Sequence, residues 1–334
     1  MRRVPSGSFE RLSDPVALWR ALCDHARGKG RRPAVARLLL DADRLIFALS
    51  RALRPGTYEP GPSHQLVVLD PKVRLISTPS LRDRVLHQAV VAELARHFER
   101  SYIDASYACL AGRGPLRALL RHQQEARRWR YRVALDVRGY FPSIDHAILL
   151  ERILFRRVAD RRTRELLRRL IVAGGEVYRT PLAMRILGAP RRPGTGLPIG
   201  SSLSQWAANL YLDGLDHYVK RVLKVPGYLR YMDDSVLFAD SRAQLVEAQA
   251  AVAGWLAEER RLELKAFPVH VHRTGEACEI LGWRVEPGEI RPGSTMRRRM
   301  PGKLREARGR GPMALARCVA AYRALWRTWE SDRR

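Results

Sequence analysis

The chain has 334 residues, with 61 Lys and Arg against 34 Asp and Glu, for a formal net charge of +27 at pH 7. At roughly 100–200 residues per domain this is about two domains or one multi-lobed unit, and an apolar content of 46% supports a packed core and excludes wholesale disorder. The charge points to a polyanionic partner, because Lys/Arg surfaces bind phosphate backbones by releasing counterions, whereas a merely soluble basic protein would carry this self-repulsion with no offsetting benefit.

Asp14-Pro15 signals a helix start, with Val16, Trp19 and Leu22 at helical spacing behind it. After a basic break at 28–33, Val35, Leu38, Leu39, Leu45, Ile46 and Leu49 predict a second amphipathic stretch, ended by Pro55-Gly56. Residues 65–78 predict a β-hairpin turning at Asp70-Pro71, and 81–100 a long helix with Arg along one side. Residues 131–136 read as a short strand ending in a carboxylate. A helical region is expected from Asp145 to Val172, a Pro/Gly/Arg loop from Gly188 to Gly196, and a helix from Ser201 to Leu223. Residues 228–239 predict two strands meeting at a tight polar turn, and Asp240-Ser241 caps a helix running to Arg261. His270 and His272 alternate with Val269 and Val271, which suits a strand with its imidazoles at the surface. The tail is strongly basic from Arg297 and then helical to Trp329. The order strand, helix, strand, strand, helix predicts an α+β fold: a split βαβ sheet with helices on one face.

Cys23, Cys109, Cys278 and Cys318 form no C-x-x-C pair and no zinc-spaced cluster, so neither a zinc finger nor a disulfide framework is expected. A reducing, cytoplasmic setting fits this cysteine usage. No run of about 18 apolar residues is present, so no membrane helix is expected, and the N-terminus does not read as a signal peptide.

Tyr231-Met232-Asp233-Asp234 is the sharpest chemical feature. Apolar strands usually turn on Asn-Gly or Asp-Gly, not on two adjacent carboxylates. An acidic, exposed hairpin tip is the plain reading of that pair alone. It loses ground once Asp136 is counted, because adjacent strands of one sheet would bring three carboxylates together. Such a hard-oxygen set suits Mg²⁺, and two ions about 3.5–4 Å apart are a recurrent device for phosphoryl transfer.

This segment resembles the palm of the reverse transcriptases, and other blocks resemble the same family in the same order. Arg74-Leu-Ile-Ser-Thr-Pro79 with Asp83-Arg84-Val85 resembles the fingers motif that meets the incoming nucleotide. Ser106-Tyr-Ala-Cys-Leu-Ala-Gly-Arg-Gly114 resembles a bacterial S-Y-x-x-R-x-G-[KR]-G segment, with Leu110 where a basic residue is common. Asp136-Val-Arg-Gly-Tyr-Phe141-Pro-Ser-Ile-Asp-His146 resembles the block around the first catalytic Asp. Gly196–Gln205 resembles the next block, and Ile280-Leu-Gly-Trp283 the primer grip. Leu197-Pro198-Ile199-Gly200, with Ile in place of a common Gln and Ser204-Gln205 following, is most similar to the reverse transcriptases of diversity-generating retroelements. Retron and phage-defence reverse transcriptases share parts of this pattern. A non-catalytic RNA-binding scaffold with a polymerase fold is the alternative of another class, and it predicts eroded carboxylates, whereas all three are present.

The resemblance implies a right-hand polymerase with an antiparallel palm sheet. Residues 1–85 would be an N-terminal extension and fingers, 86–146 palm, 147–200 fingers, 201–288 palm and 289–334 thumb. The last segment is too short for an RNase H or endonuclease domain. The implied activity is RNA-directed DNA synthesis from dNTPs on a template RNA with a primer, error-prone at template adenines, beside a small basic accessory protein oligomer. Asp136, Asp233 and Asp234 would be catalytic and, with the backbone of Val137, would hold two Mg²⁺ ions, with Mn²⁺ as an alternative. The nucleotide would meet Lys72, Arg74, Phe141, Ile199, Gly200, Gln205 and Lys265. Phe141 matches the family's steric gate against a 2′-hydroxyl, with a core aromatic as the competing reading. Ile199, unless ordinary core, would enforce geometry by packing alone. Lys265 would protonate pyrophosphate, although Ala266 stands where Thr is usual. Arg113, Tyr231, Met232, Leu281, Gly282 and Trp283 would touch nucleic acid. Arg297, Arg298 and Arg299 would grip phosphates, with a nuclear or membrane address as the other reading of that basic run.

Overall fold

The computed structural model describes residues 3–30, 33–69, 73–188, 192–286 and 288–331. The chain opens with helices α1 (Ser8–Ser13), α2 (Pro15–Ala26), α3 (Pro33–Leu40) and α4 (Ala42–Leu53). Pro15 stands at the first position of α2 and the Asp14 carboxylate accepts the Ala17 amide, which is the start the sequence signals. A hairpin of β1 (His64–Val68) and β2 (Arg74–Thr78) follows, in register from His64↔Thr78 to Val68↔Arg74. Its turn at Asp70-Pro71, and Lys72 with it, lies outside the described residues. Helix α5 (Leu81–Phe98), capped by Ser80, packs along α2.

Helix α6 (Pro115–Arg128) was not legible in the sequence pattern, although Pro115 at its first position is a start signal. The expected single helix from Asp145 to Val172 is instead divided. After β3 (Tyr131–Leu135) come a short α7 (Tyr140–Ser143), a π-helical stretch Ile148–Leu154, and α8 (Arg161–Gly175). The chain leaves the helix there because Val158 pairs with Val4, and it restarts because Asp160 accepts the Thr163 amide at 3.0 Å. Helix α9 (Pro181–Leu187) follows. The expected helix from Ser201 to Leu223 breaks at Leu212 into α10 (Ser202–Tyr211), α11 (Asp213–His217) and a π-helical end. Next come β4 (Gly227–Tyr231), β5 (Asp234–Ala239) and α12 (Arg242–Arg260), as the sequence predicts. Short strands β6 (His272–Arg273), β7 (Cys278–Ile280), β8 (Trp283–Val285) and β9 (Ile290–Pro292) lead to α13 (Ser294–Gly309) and α14 (Pro312–Ser331). The basic tail is therefore itself helical.

The central sheet is antiparallel, in the order β4-β5-β3-β6, and β7-β8-β9 form a second sheet. The continuous apolar run of β5 is buried on both sides, as its lack of alternation requires. Leu237 and Ala239 join Val133, Leu135 and α12 residues such as Leu245 and Val252 in the main core. Val236 and Phe238, one residue out of phase, pack with Leu119 and Ala126 of α6 and with Ile280 and Val285. Helices on one face were expected. The second face is covered as well, by α6 and the small sheet. Among the described residues, no helix is long and apolar enough to cross a membrane.

Candidate active site

Antiparallel pairing places the acidic residues at one end of the central sheet. Leu135 faces Ser235, so Asp136, the next residue of the β3 chain, comes level with Asp234 at the start of β5. Tyr231 pairs with Asp234, which leaves Met232-Asp233 as a two-residue hairpin turn. Met232 takes a positive φ of 57°, the backbone this tight turn demands. Asp136 and Asp234 line one cleft of about 150 Å³, opposite Cys278, Glu279, Ile280 and Leu281. Asp233 lies deeper in the turn. Burial, then the charge of Asp136, raises its pKa above the ordinary carboxylate range, against its own amide, Arg74 and Arg230.

Lys265 is carried to this end by the backbone. Its amide donates to the Asp136 carbonyl at 2.8 Å, and the Arg138 amide donates to Glu263. Val137 lies between these bonds, bridged to Leu264, and neither bond uses its carbonyl. The Lys265 ammonium sits 3.2 Å from Asp136 Oδ2. Among the described residues, no group of three or more Asp, Glu, His or Cys side chains closes on a single point as a metal cage. The expected three-carboxylate set is thus gathered at one sheet end but not drawn together. Asp136 pairs with Lys265 instead. The donor chemistry fits a divalent cation: hard carboxylate oxygens, a monovalent cation already drawn to one of them, and a second carboxylate whose charge is disfavoured.

Of the residues expected to meet the nucleotide, Arg74, Ile199, Gly200 and Phe141 are linked through the β1–β2 hairpin and the loop laid on it. Arg74 opens β2, exposed, and its charge reaches Asp233. The loop Leu197–Gly200 is laid against that strand, with the Ser77 amide donating to the Ile199 carbonyl at 2.8 Å. Gly200 has φ +127°, and a Cβ there would meet the Ser77 carbonyl oxygen at 2.9 Å, so this close approach needs glycine. Phe141 is half-buried on α7, edge-on to Tyr140 at 5.7 Å, and its carbonyl accepts the Leu197 amide at 2.9 Å. It therefore serves the core and also borders the loop. Ile199 is half-buried, and Gln205 is exposed in the first turn of α10.

Among the nucleic-acid candidates, Arg113 is turned inward. Its guanidinium donates to the carbonyls of Ile103 (2.7 Å) and Ser106 (2.5 Å), so it shapes the 103–106 loop. Tyr231 is half-buried, and Met232 lies 3.9 Å from Cys109, sulfur to sulfur. Leu281 and Gly282, with φ of 53° and 81°, form the turn between β7 and β8, and Trp283 opens β8. Arg297 and Arg298 are exposed on α13. Arg299 lines a separate groove of about 990 Å³ between Val68–Leu69 and helices α13 and α14. His270 and His272 meet edge to face at the surface, ring centres 4.6 Å apart, and of the two only His272 joins a strand.

Sequence reasoning missed Arg230, whose side chain is wholly buried beside Asp216. The signal was available: a charge inside the apolar run Tyr228-Leu229-Arg230-Tyr231 requires a buried partner. Burial alone would lower its pKa; the Asp216 carboxylate more than offsets this and raises it.

The model of the family reverse transcriptase (RNA-dependent DNA polymerase) matches residues 68–285, which include all three carboxylates and strand β2 with Arg74. The chain belongs to the reverse transcriptase family. It is 26% identical over 181 residues to the group II intron-encoded protein LtrA of Lactococcus lactis subsp. cremoris, a match covering 52% of this chain and 28% of LtrA. It is 23% identical over 288 residues to protein YkfC of Escherichia coli K12, covering 73% of each. The chain thus spans under a third of LtrA. Among solved structures, apo telomerase from Candida tropicalis superposes with a TM-score of 0.50 at 9% identity, over 72% of this chain and 50% of the telomerase. The fold is that of a right-hand polymerase.

Proposed function

We propose that this chain is an RNA-directed DNA polymerase that makes cDNA on a template RNA, with Asp136, Asp233 and Asp234 as its catalytic carboxylates. The observation that carries the proposal is the meeting of Asp136 and the Asp233–Asp234 turn at one sheet end, beneath the hairpin that bears Arg74. Asp136 and Asp233, with Asp234 and the Val137 carbonyl beside them, are the residues to hold divalent ions, Mg²⁺ by preference for hard oxygen. A divalent ion held there supplies activation of the primer 3′-hydroxyl and neutralises charge on the leaving pyrophosphate. Arg74 steers triphosphate oxygens with its planar fork. Phe141 closes the space beside the sugar, and Lys265, which pairs with Asp136 at 3.2 Å, would hand a proton to the leaving group. The segments 1–85 and 147–200 act as fingers, 86–146 and 201–288 as palm, and 289–334 as thumb, with Arg297, Arg298 and Arg299 on duplex phosphates.

Within the family we place the chain with the diversity-generating retroelements, working with a small basic accessory protein in the cytoplasm. Ile199 and the Ser204-Gln205 pair support this reading. Ile199 offers the nucleotide only an apolar side chain, so a base pair at this point is held by shape. Shape alone discriminates by about 1–3 kcal/mol.

Primer extension on RNA with Mg²⁺ or Mn²⁺ tests the proposal. Asp233→Asn is expected to cut incorporation on the order of a thousandfold, the loss of several kcal/mol of metal-assisted stabilisation, with RNA–DNA duplex binding retained. Equal loss of binding and incorporation would mean the carboxylates are structural.

A further inference from the structure

Strand β4 is buried on both faces, yet Arg230 sits in it with no exposed surface. Its guanidinium uses each of its nitrogens. Nε donates to Asp216 Oδ1 at 2.6 Å and Nη2 to Asp216 Oδ2 at 2.7 Å, a two-pronged pair. Nη1 donates to Asn209 Oδ1 at 2.8 Å and to the Met232 carbonyl at 2.8 Å. Nη2 also reaches Ser106 Oγ and the Asn209 carbonyl, each at 3.3 Å. Tyr228 donates to Asp216 Oδ1 at 2.8 Å, and Asn209 Nδ2 to the Ala108 carbonyl at 2.7 Å. Helices α10 and α11, the 105–108 loop, β4 and the acidic turn therefore meet at one side chain.

Stability alone does not explain such a device. A buried ion pair costs heavy desolvation, and well-packed apolar residues of similar volume usually serve a core as well or better. What an apolar residue cannot do is donate to the Met232 carbonyl. That carbonyl belongs to the first residue of the two-residue turn, held at positive φ, and the next residue is Asp233.

We propose that Arg230 is a positioning residue for the reaction: oriented by Asp216 and Asn209, it fixes the Met232 carbonyl and thereby the direction of the Asp233 carboxylate. It touches neither substrate nor ion and acts through the turn. The kinetic part of this inference rests on the polymerase reading above; the structural part does not.

Arg230→Lys in the full chain is the test. One ammonium pairs with Asp216 but cannot also span to the Met232 carbonyl. Outer partners of metal-binding groups typically contribute about 10–100-fold in metal affinity or activity. The expected result is a kcat about 30-fold lower and a half-saturating Mg²⁺ concentration about tenfold higher, with KM for dNTP and duplex affinity within about threefold. Two readouts do not need turnover. Mn²⁺ binding followed by electron paramagnetic resonance should weaken by a similar factor, and amide hydrogen exchange should accelerate at Met232–Asp234 but not in β3. Unchanged kcat and metal dependence would make Arg230 an ordinary core ion pair. Exchange accelerated throughout β3–β5, with duplex binding lost in step, would make its role purely one of folding. Wild-type protein without RNA-templated incorporation would sink the polymerase reading, and the Mn²⁺ and exchange readouts would still decide the role of Arg230. Should Arg230→Lys fail to fold, Asn209→Ala removes the Oδ1 acceptor that holds Nη1 while leaving the Asp216 pair in place. The same turn-specific loosening is then expected, and its absence refutes the proposal.

Discussion

Replacing Gly200 by Ala puts a methyl group where the Leu197–Gly200 loop lies on β2. The new Cβ would stand 2.9 Å from the Ser77 carbonyl oxygen and 3.3 Å from Ile76 Cγ2, at a φ of +127° that L-residues rarely adopt. Ser77 is itself held in register opposite Gln65, so the loop rather than the strand must yield. Backbone strain of this kind costs about 1–3 kcal/mol. Lifting the loop also breaks the 2.8 Å bond from the Ser77 amide to the Ile199 carbonyl, a net loss of about 0.5–1.5 kcal/mol. The sum, about 1.5–4.5 kcal/mol, corresponds to a fall in Tm of about 2–6 °C for a chain of this size. Because the loop carries Ile199 and β2 carries Arg74, KM for dNTP should rise about tenfold, one to two kcal/mol of misplacement, with duplex affinity unchanged. Gly254→Ala is the matched control. Gly254 lies inside α12 with no atom within 4 Å of an added Cβ, so this change should stabilise by up to about 1 kcal/mol through helix propensity. Calorimetry and steady-state extension read both variants. Equal melting temperatures and an unchanged KM for Gly200→Ala would refute the idea that the loop is pinned to the hairpin.

Phe141→Ala should admit ribonucleotides, as the proposed gate role requires; an unchanged ribo- to deoxynucleotide ratio in single-nucleotide extension removes that role. Ile199→Gln should lower misincorporation opposite template adenine, read by sequencing cDNA made by purified enzyme, with its accessory protein if needed; uniformly low wild-type error at all four template bases would exclude the retroelement subgroup while leaving the polymerase reading intact. Acid should destabilise the fold early, because burial pushes His87 and His122 down to about 4. The unfolded chain takes up protons near pH 6.5 while the folded one does so only near 4, so their contribution is complete above about pH 6.5 and is lost as pH falls through that window. Each imidazole accounts for about 3 kcal/mol at most. Urea midpoints at pH 7 and pH 4.5 check this, and a His87→Gln variant with the same pH slope as wild type would contradict it.

Local sequence carried the parts of this protein that depend on neighbours along the chain. The hairpin at 65–78, the strand ending at Asp136, the β4–β5 pair and the helix from Ser241 all follow from side-chain periodicity and capping, which are set within a few residues. Helix α6 escaped because half of its fourteen residues are Arg, Gln or His, so few apolar positions mark the face toward β4 and β5. The helix expected from Asp145 to Val172 broke because Val158 is claimed by Val4, more than 150 positions away.

The same division runs through the candidate site. Residue order alone puts three carboxylates at the ends of apolar runs that read as strands. Tertiary structure alone decided which cations face those carboxylates. Lys265 reaches Asp136 only because residues 263–265 pair with 136–138, and Arg113 is spent on the 103–106 loop although its neighbours read as a nucleic-acid segment. Arg230 is the clearest case: its partners Asp216, Asn209 and Met232 lie on three elements, and their meeting point is created by the sheet and the break at Leu212. Backbone pattern is a short-range property of the chain, whereas electrostatic partnership depends on distances that exist only after remote segments have packed.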